Sequence, residues 1–332
     1  MKDTSILDDD FIIQTHDVKT SENESFLNPT NNNIDILSIC GASTAGAGVS
    51  GACEYVTDKG YKPTHLITVS YGSVISLPLL LGKKEAIKQV SLNLNHKQFF
   101  RVSPMTKKGN ISFWGLMRIL GSVVAPNKIK SIGVQDVQGL LKTHVSKKEF
   151  YDYQKSDKAV IYICTVKAST MEPVLFNIKD RSVTYQRYLD IVSASSRIPV
   201  WTQPMVIDGE EYYDGGITDI NASCLLLDKF KDSGQKVNEL VSIYPFGRGN
   251  KVEGKTIKGV FGAIFWLIET LIKNVGKNDT LEEMFKCKNR DIKLSQIHIP
   301  KILDSLYDVD KPRLLKLYNL GLQSAKDNFR KW

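Results

Sequence analysis

Three short stretches hold the residues best suited to chemistry. In "HLITVSYGSVISLPLLL" (His65 to Leu81) an apolar run of strand character stops at Ser70, and a run of helical character follows. A sharp strand-to-helix turn holds out the residue at its corner, and Gly72 lets that turn close without a side-chain clash. The helix N-terminus behind the corner favours an alkoxide or a developing oxyanion. Ser70 is thus a candidate nucleophile, although serine also caps helices routinely. In "CGASTAG" (Cys40 to Gly46) the small residues Gly41, Ala42, Ser43 and Gly46 form a loop after an earlier strand. Backbone N–H groups in such a loop bind a phosphate or stabilise an oxyanion; close helix–strand packing asks for small residues as well. In "YYDGGITD" (Tyr212 to Asp219) Asp214 precedes Gly215 and Gly216. D-G-G is a common hairpin turn, and the same carboxylate could act as a general base toward a serine.

These stretches need elements to position them. "IDILSIC" from Ile34 and "THLITVS" from Thr64 read as buried strands, each followed by a helix, the first ending at Gly60 and the second at Gly82. Strand, helix, strand, helix predicts parallel strands with crossover helices. Further strands are expected at Ala159–Ala168, Glu172–Ile178 and Glu239–Phe246, and a helix at Thr184–Ser196. A last helix opens at Pro312, with Leu314, Leu315, Leu317, Tyr318 and Leu322 at helical spacing. A dinucleotide loop would need G-x-G-x-x-G and an acid at the end of the second strand; that strand ends in Ser70.

Taken together, in order and spacing, the three stretches resemble the patatin-like phospholipases, a family of serine acyl hydrolases. "GASTAGAGVSGACEYV" matches the family's glycine-rich loop and first helix, with Gly41, Gly46 and Gly51 in glycine positions. Ser70 falls on the nucleophile and Asp214 on its base. "SASSRIP" (Ser193 to Pro199) resembles the A-S-x-x-I-P segment that precedes the D-G-G turn, and "YDVDKPRLLKLYNLG" the closing helix. The resemblance implies an α/β chain with a three-layer α/β/α fold and a mainly parallel central sheet. It also implies a Ser70–Asp214 dyad, an oxyanion hole at Gly41, Ala42 and Ser43, and turns supported by Gly46, Gly72, Gly215 and Gly216. No metal and no cofactor is expected, and the substrate is a phospholipid or another acyl-ester lipid.

The pattern departs from the family's in places. The loop reads G-A-S instead of G-G-G, and Ala45 stands where a basic residue is usual. Thr68 replaces the elbow's first glycine, Tyr71 follows the nucleophile, and Ile220 precedes Asn221 after D-G-G. Alanine and serine keep their N–H donors but tolerate positive φ less well than glycine. A catalytically silent protein of the same fold is the first alternative. A second is a Ser70, Asp214, His298 triad on an α/β-hydrolase fold.

The chain carries a net charge of +8 on 332 residues. Its first 33 residues hold seven acids and two lysines, which leaves about +13 on residues 34–332. Residues 1–33 read as a polar, disordered or loosely docked tail, and residues 34–332 as the hydrolase domain. No nucleic-acid motif accompanies the positive charge, so no nucleic-acid partner is expected. Five scattered cysteines without metal spacing read as free thiols in a reducing compartment. The N-terminus does not read as a secretory signal. A cytoplasmic protein is expected, peripheral at the membrane and able to form a homo-oligomer. Two stretches suit lipid contact. Ile111–Pro126, flanked by Lys107, Lys108, Lys128 and Lys130, reads as a flap, and Val260–Ile272 as core or a subunit interface.

Overall fold

A computed structural model describes residues 33–93, 100–102, 112–125, 128, 131–247, 259–300 and 310–330. The tail expected at residues 1–33 lies outside them apart from Asn33. Ten strands are present among the described residues: β1 (Ile34–Ile39), β2 (His65–Val69), β3 (Phe100–Val102), β4 (Val134–Gln135), β5 (Val160–Lys167), β6 (Pro173–Asn177), β7 (Met205–Ile207), β8 (Glu210–Asp214), β9 (Val237–Tyr244) and β10 (Lys293–His298). Eight of them make one sheet, ordered β10-β9-β1-β2-β5-β8-β7, with β6 also paired to β5; β3 and β4 pair separately. The five strands from β10 to β5 run parallel. Strands β6, β7 and β8 join antiparallel.

The parallel strands read as unbroken apolar runs because both faces of the sheet are covered. Leu37, Ile39, Leu66, Ile161, Ile163, Val241 and Ile243 point into one core, which also buries residues of the helices Gly46–Asp58, Tyr185–Ala194 and Lys311–Asn328. Ile34, Ile36, Ile67, Val69, Tyr162, Cys164 and Leu240 point into the other, with Leu226, Leu227 and Phe230 of the helix Ser223–Asp232 and Cys287 of the helix Gly259–Asn289. The fold is the expected three-layer α/β/α arrangement. All five cysteines are buried and unpaired.

Local signals explain the element ends. Gly60 (φ 78°) and Gly82 (φ 70°) follow the first two helices in the left-handed region. Thr184 caps the helix Tyr185–Ala194 by accepting from the Arg187 N–H. Asp310 caps the last helix, which carries Pro312 in its first turn. That helix crosses Gly46–Asp58 backbone to backbone: a Cβ on Gly321 would stand 1.9 Å from the Gly48 carbonyl oxygen. The β7–β8 hairpin differs from the reading of D-G-G as a hairpin corner. Its turn is Asp208–Gly209 (φ 51° and 83°), while D-G-G leaves the end of β8 as a short 3-10 turn, Gly215–Ile217. No helix among the described residues is long and apolar enough to cross a membrane.

Candidate active site

Parallel strands deliver their C-terminal ends, and the loops that follow, to one edge of the sheet. Ser70 follows β2 directly and adopts φ 54°, ψ −119°. A non-glycine residue held there costs about 1–3 kcal/mol and persists only where its surroundings enforce it. Those surroundings are visible. The Ser70 N–H donates to Ser195 Oγ at 2.9 Å. Gly72 lies so close to β1 that a Cβ would meet the Ile39 carbonyl oxygen at 2.3 Å. The helix Tyr71–Leu80 begins immediately after the serine, so its N-terminal field falls on Ser70.

Asp214 ends β8, which β5 holds beside β2. Its N–H donates to the Arg197 carbonyl at 2.9 Å. Its carboxylate accepts from the Gly216 N–H at 2.8 Å and lies within electrostatic reach of the Ser70 hydroxyl. The side chain is 3% exposed. Burial pushes its pKa up to about 7, against the lowering effects of the Ser70 hydroxyl and the Gly216 N–H. Val69 pairs with Cys164 and Asp214 with Thr165, so β5 brings Ser70 and Asp214, 144 apart in sequence, to neighbouring positions.

The loop after β1 completes the edge. Gly41 sits against the serine: a Cβ there would be 3.2 Å from Ser70 Cβ. Its N–H is committed to the Ile220 carbonyl at 3.1 Å, which ties the loop to the segment after D-G-G. Ser43 then takes φ 47° and opens a 3-10 turn, Ser43–Ala45, that runs into the helix Gly46–Asp58. Serine fills a left-handed position that glycine occupies more cheaply.

The departures from the family's elbow find room in the packing. Thr68 is buried, with Oγ1 within hydrogen-bonding distance of the Tyr162 carbonyl (3.2 Å) and Ser73 Oγ (3.3 Å). Tyr71 points inward, its hydroxyl between Ser50 Oγ (2.9 Å) and Ser91 Oγ (2.8 Å). Its ring occupies the space that a Cβ on Gly46 would need, at 2.5 Å. The bulky residue after Ser70 is therefore packed into the core, away from the serine.

A sequence model of the patatin-like phospholipases matches residues 37–222, more than half of the chain. The chain belongs to the patatin-like phospholipase family. That family is one of lipid acyl hydrolases. Among solved structures, the crystal structure of VipD from Legionella pneumophila is similar at 14% sequence identity and a TM-score of 0.42. The similarity covers 89% of this chain and 66% of that one, so this chain spans under two thirds of its length. No curated protein matches.

His298, the third member of the alternative triad, lies on β10, three strands from β2 in the sheet. At about 4.8 Å per strand that is roughly 14 Å. Its ring stacks on Tyr244 with centroids 4.9 Å apart, and Nδ1 lies 3.2 Å from the Phe246 carbonyl. Among the described residues no group of His, Cys, Asp and Glu could hold a metal ion. One residue of weight escaped the sequence reading. Ser195 is wholly buried; it accepts from the Ser70 N–H, shares a 3.0 Å hydrogen bond with Ser73 Oγ and donates to the Cys164 carbonyl at 2.7 Å. The family-like segment "SASSRIP" pointed to the region, but no spacing rule picks Ser195 out from Ser193 and Ser196.

Proposed function

We propose that the chain hydrolyses the carboxylic esters of phospholipids or related acyl lipids through a Ser70–Asp214 dyad. The placement of Ser70 at a strained strand-to-helix corner beside the buried Asp214 carboxylate carries this reading. Asp214 takes the hydroxyl proton as Ser70 Oγ attacks the ester carbonyl. The N–H groups of Ala42 and Ser43 face the oxyanion that forms, with Gly41 spacing the loop against the serine. Proton return to the leaving oxygen frees the alcohol and leaves an acyl-serine. Water, deprotonated by Asp214, attacks that ester and releases the fatty acid.

Hydrolysis of a phospholipid panel, read alongside active-site labelling by a fluorophosphonate, tests the proposal. The wild type should label once, and Ser70→Ala should lose both labelling and hydrolysis, by at least about 10³-fold. A wild type that neither labels nor hydrolyses any lipid would instead be a silent member of the family. Ser195→Ala should slow labelling about tenfold, because the Ser70 N–H loses a buried partner worth about 1–2 kcal/mol. An unchanged labelling rate would show that the elbow holds its own shape.

A further inference from the structure

The helix Phe113–Val124 turns its apolar side outward. Phe113 and Trp114 are 68% and 67% exposed, and Leu116, Met117, Leu120 and Val124 are exposed with them. At 100° per residue, Phe113, Leu116, Met117, Leu120 and Val124 fall in one stripe about 100° wide, with Trp114 about 60° beyond its edge. The inward side is the one that holds the polar groups. Arg118 Nε donates to the Ser131 carbonyl at 2.9 Å, and Ser122 Oγ donates to the Ile119 carbonyl at 2.7 Å. A soluble helix is normally arranged the other way, and a contiguous exposed apolar stripe marks a contact surface.

Charge selects the occupant. Lys107 and Lys108 precede the helix in sequence, Lys128 and Lys130 follow it, and residues 34–332 carry about +13. A second copy of the chain would bring the same positive charge against itself. An anionic bilayer supplies both the complementary charge and an apolar boundary for the aromatic side chains.

The helix also rests on the scaffold of the site. Ile119 packs against Ile132 and Trp201, in a cluster that includes Ile198. Backbone bonds from the Ile132 N–H to the Val200 carbonyl and from the Gly133 N–H to the Trp201 carbonyl, both 2.9 Å, fasten this platform to residues 200–201. Three residues before Ile198 stands Ser195, which holds the Ser70 N–H, and one before it stands Arg197, whose carbonyl holds the Asp214 N–H.

We infer that the exposed face of the helix Phe113–Val124 is a docking surface for anionic lipid bilayers, joined through residues 195–201 to the elbow. The inference deepens the hydrolase reading by naming the form in which substrate is met, and binding is measured without turnover so that either can fail alone. The full chain is sedimented with vesicles of phosphatidylcholine alone and of phosphatidylcholine with 30% phosphatidylglycerol, a composition in the range of about that needed to set a surface potential. The wild type and Ser70→Ala should bind the anionic vesicles alike and the neutral ones at least about tenfold more weakly. The double variant Phe113→Ala, Trp114→Ala should lose at least about tenfold in binding to anionic vesicles, since two large apolar side chains leave the interface. Its melting temperature should match the wild type, because both side chains are exposed. A double variant that binds as tightly as the wild type overturns the inference. So does a wild type that forms a dimer which the double variant cannot, for then a second copy covers the face.

Discussion

Asp214→Asn should lower ester hydrolysis by at least about 10³-fold and, at pH 8, make the protein more stable. Both effects come from one buried carboxylate. Its pKa lies at about 7 in the fold and near 3.9 in an unfolded chain. The folded state therefore keeps a proton that the unfolded state gives up. The stability due to that proton is fully present below about pH 4 and is lost as pH rises through 7. The loss is about 4 kcal/mol for a shift of roughly three units. Asparagine does not ionise, so the stability of the variant relative to wild type should climb between pH 4 and 7 and level off above. Asp219 and Asp279, raised by burial to about 6 and about 8, titrate over the same range. Unfolding wild type and variant side by side cancels their contribution. Equal stability differences at pH 5 and pH 8 would contradict the assignment. Wild-type hydrolysis should follow the ionised fraction of Asp214, rising about tenfold from pH 6 to a plateau near pH 8.

Glu283→Ala should cost about 4 kcal/mol of stability and slow labelling of Ser70 as well. Glu283 is wholly buried in the helix Gly259–Asn289. Its Oε1 accepts from Asn221 Nδ2 at 2.8 Å, from Ser223 Oγ at 2.7 Å and from Ser242 Oγ. Its Oε2 accepts from Gln296 Nε2 at 2.7 Å and from the Tyr244 hydroxyl at 3.1 Å. Removing the carboxylate takes the shared acceptor from three buried hydroxyls, Ser223, Ser242 and Tyr244, and leaves Asn221 Nδ2 and Gln296 Nε2 to their remaining bonds to the Tyr244 oxygen and the Thr280 carbonyl. The damage extends to the site because Asn221 adjoins Ile220, whose carbonyl holds the Gly41 N–H. Glu283→Gln keeps acceptor capacity on one oxygen and should lose about half as much. Urea unfolding of the three proteins, with fluorophosphonate labelling of each, decides the matter. An alanine variant that unfolds like the wild type would show that water replaces the carboxylate.

What the sequence made legible was whatever the backbone alone demands. Ser70 and Gly72 stand out because a strand ends where a helix begins, and Gly41 and Gly46 because the loop passes close to Ser70 and to the Tyr71 ring. Both sheet cores were readable from the apolar runs in β1, β2, β5 and β9. The hidden parts depend on contacts between distant residues. Ser195 is an unremarked serine among serines until it meets the Ser70 amide 125 positions away. Glu283 sits in "LEEMFK", which has the look of a solvated helix face; the donors that surround it come from three other stretches of chain. The β7–β8 hairpin is hard to read because "EEYYD" is charged at its start, although Asp208–Gly209 is a strong turn signal.

The placement of β1 has a consequence for biosynthesis. Its neighbours are β2, made soon after it, and β9, made about 200 residues later. At about 5–20 residues per second, one edge of β1 stays bare for roughly 10–40 s while the ribosome works toward β9. A raw strand edge of that kind templates aggregation. The stretch matched by the family, ending at residue 222, stops before β9. A recombinant fragment cut at that boundary would keep Ser70 and Asp214 yet leave the nascent-chain edge permanently unsealed.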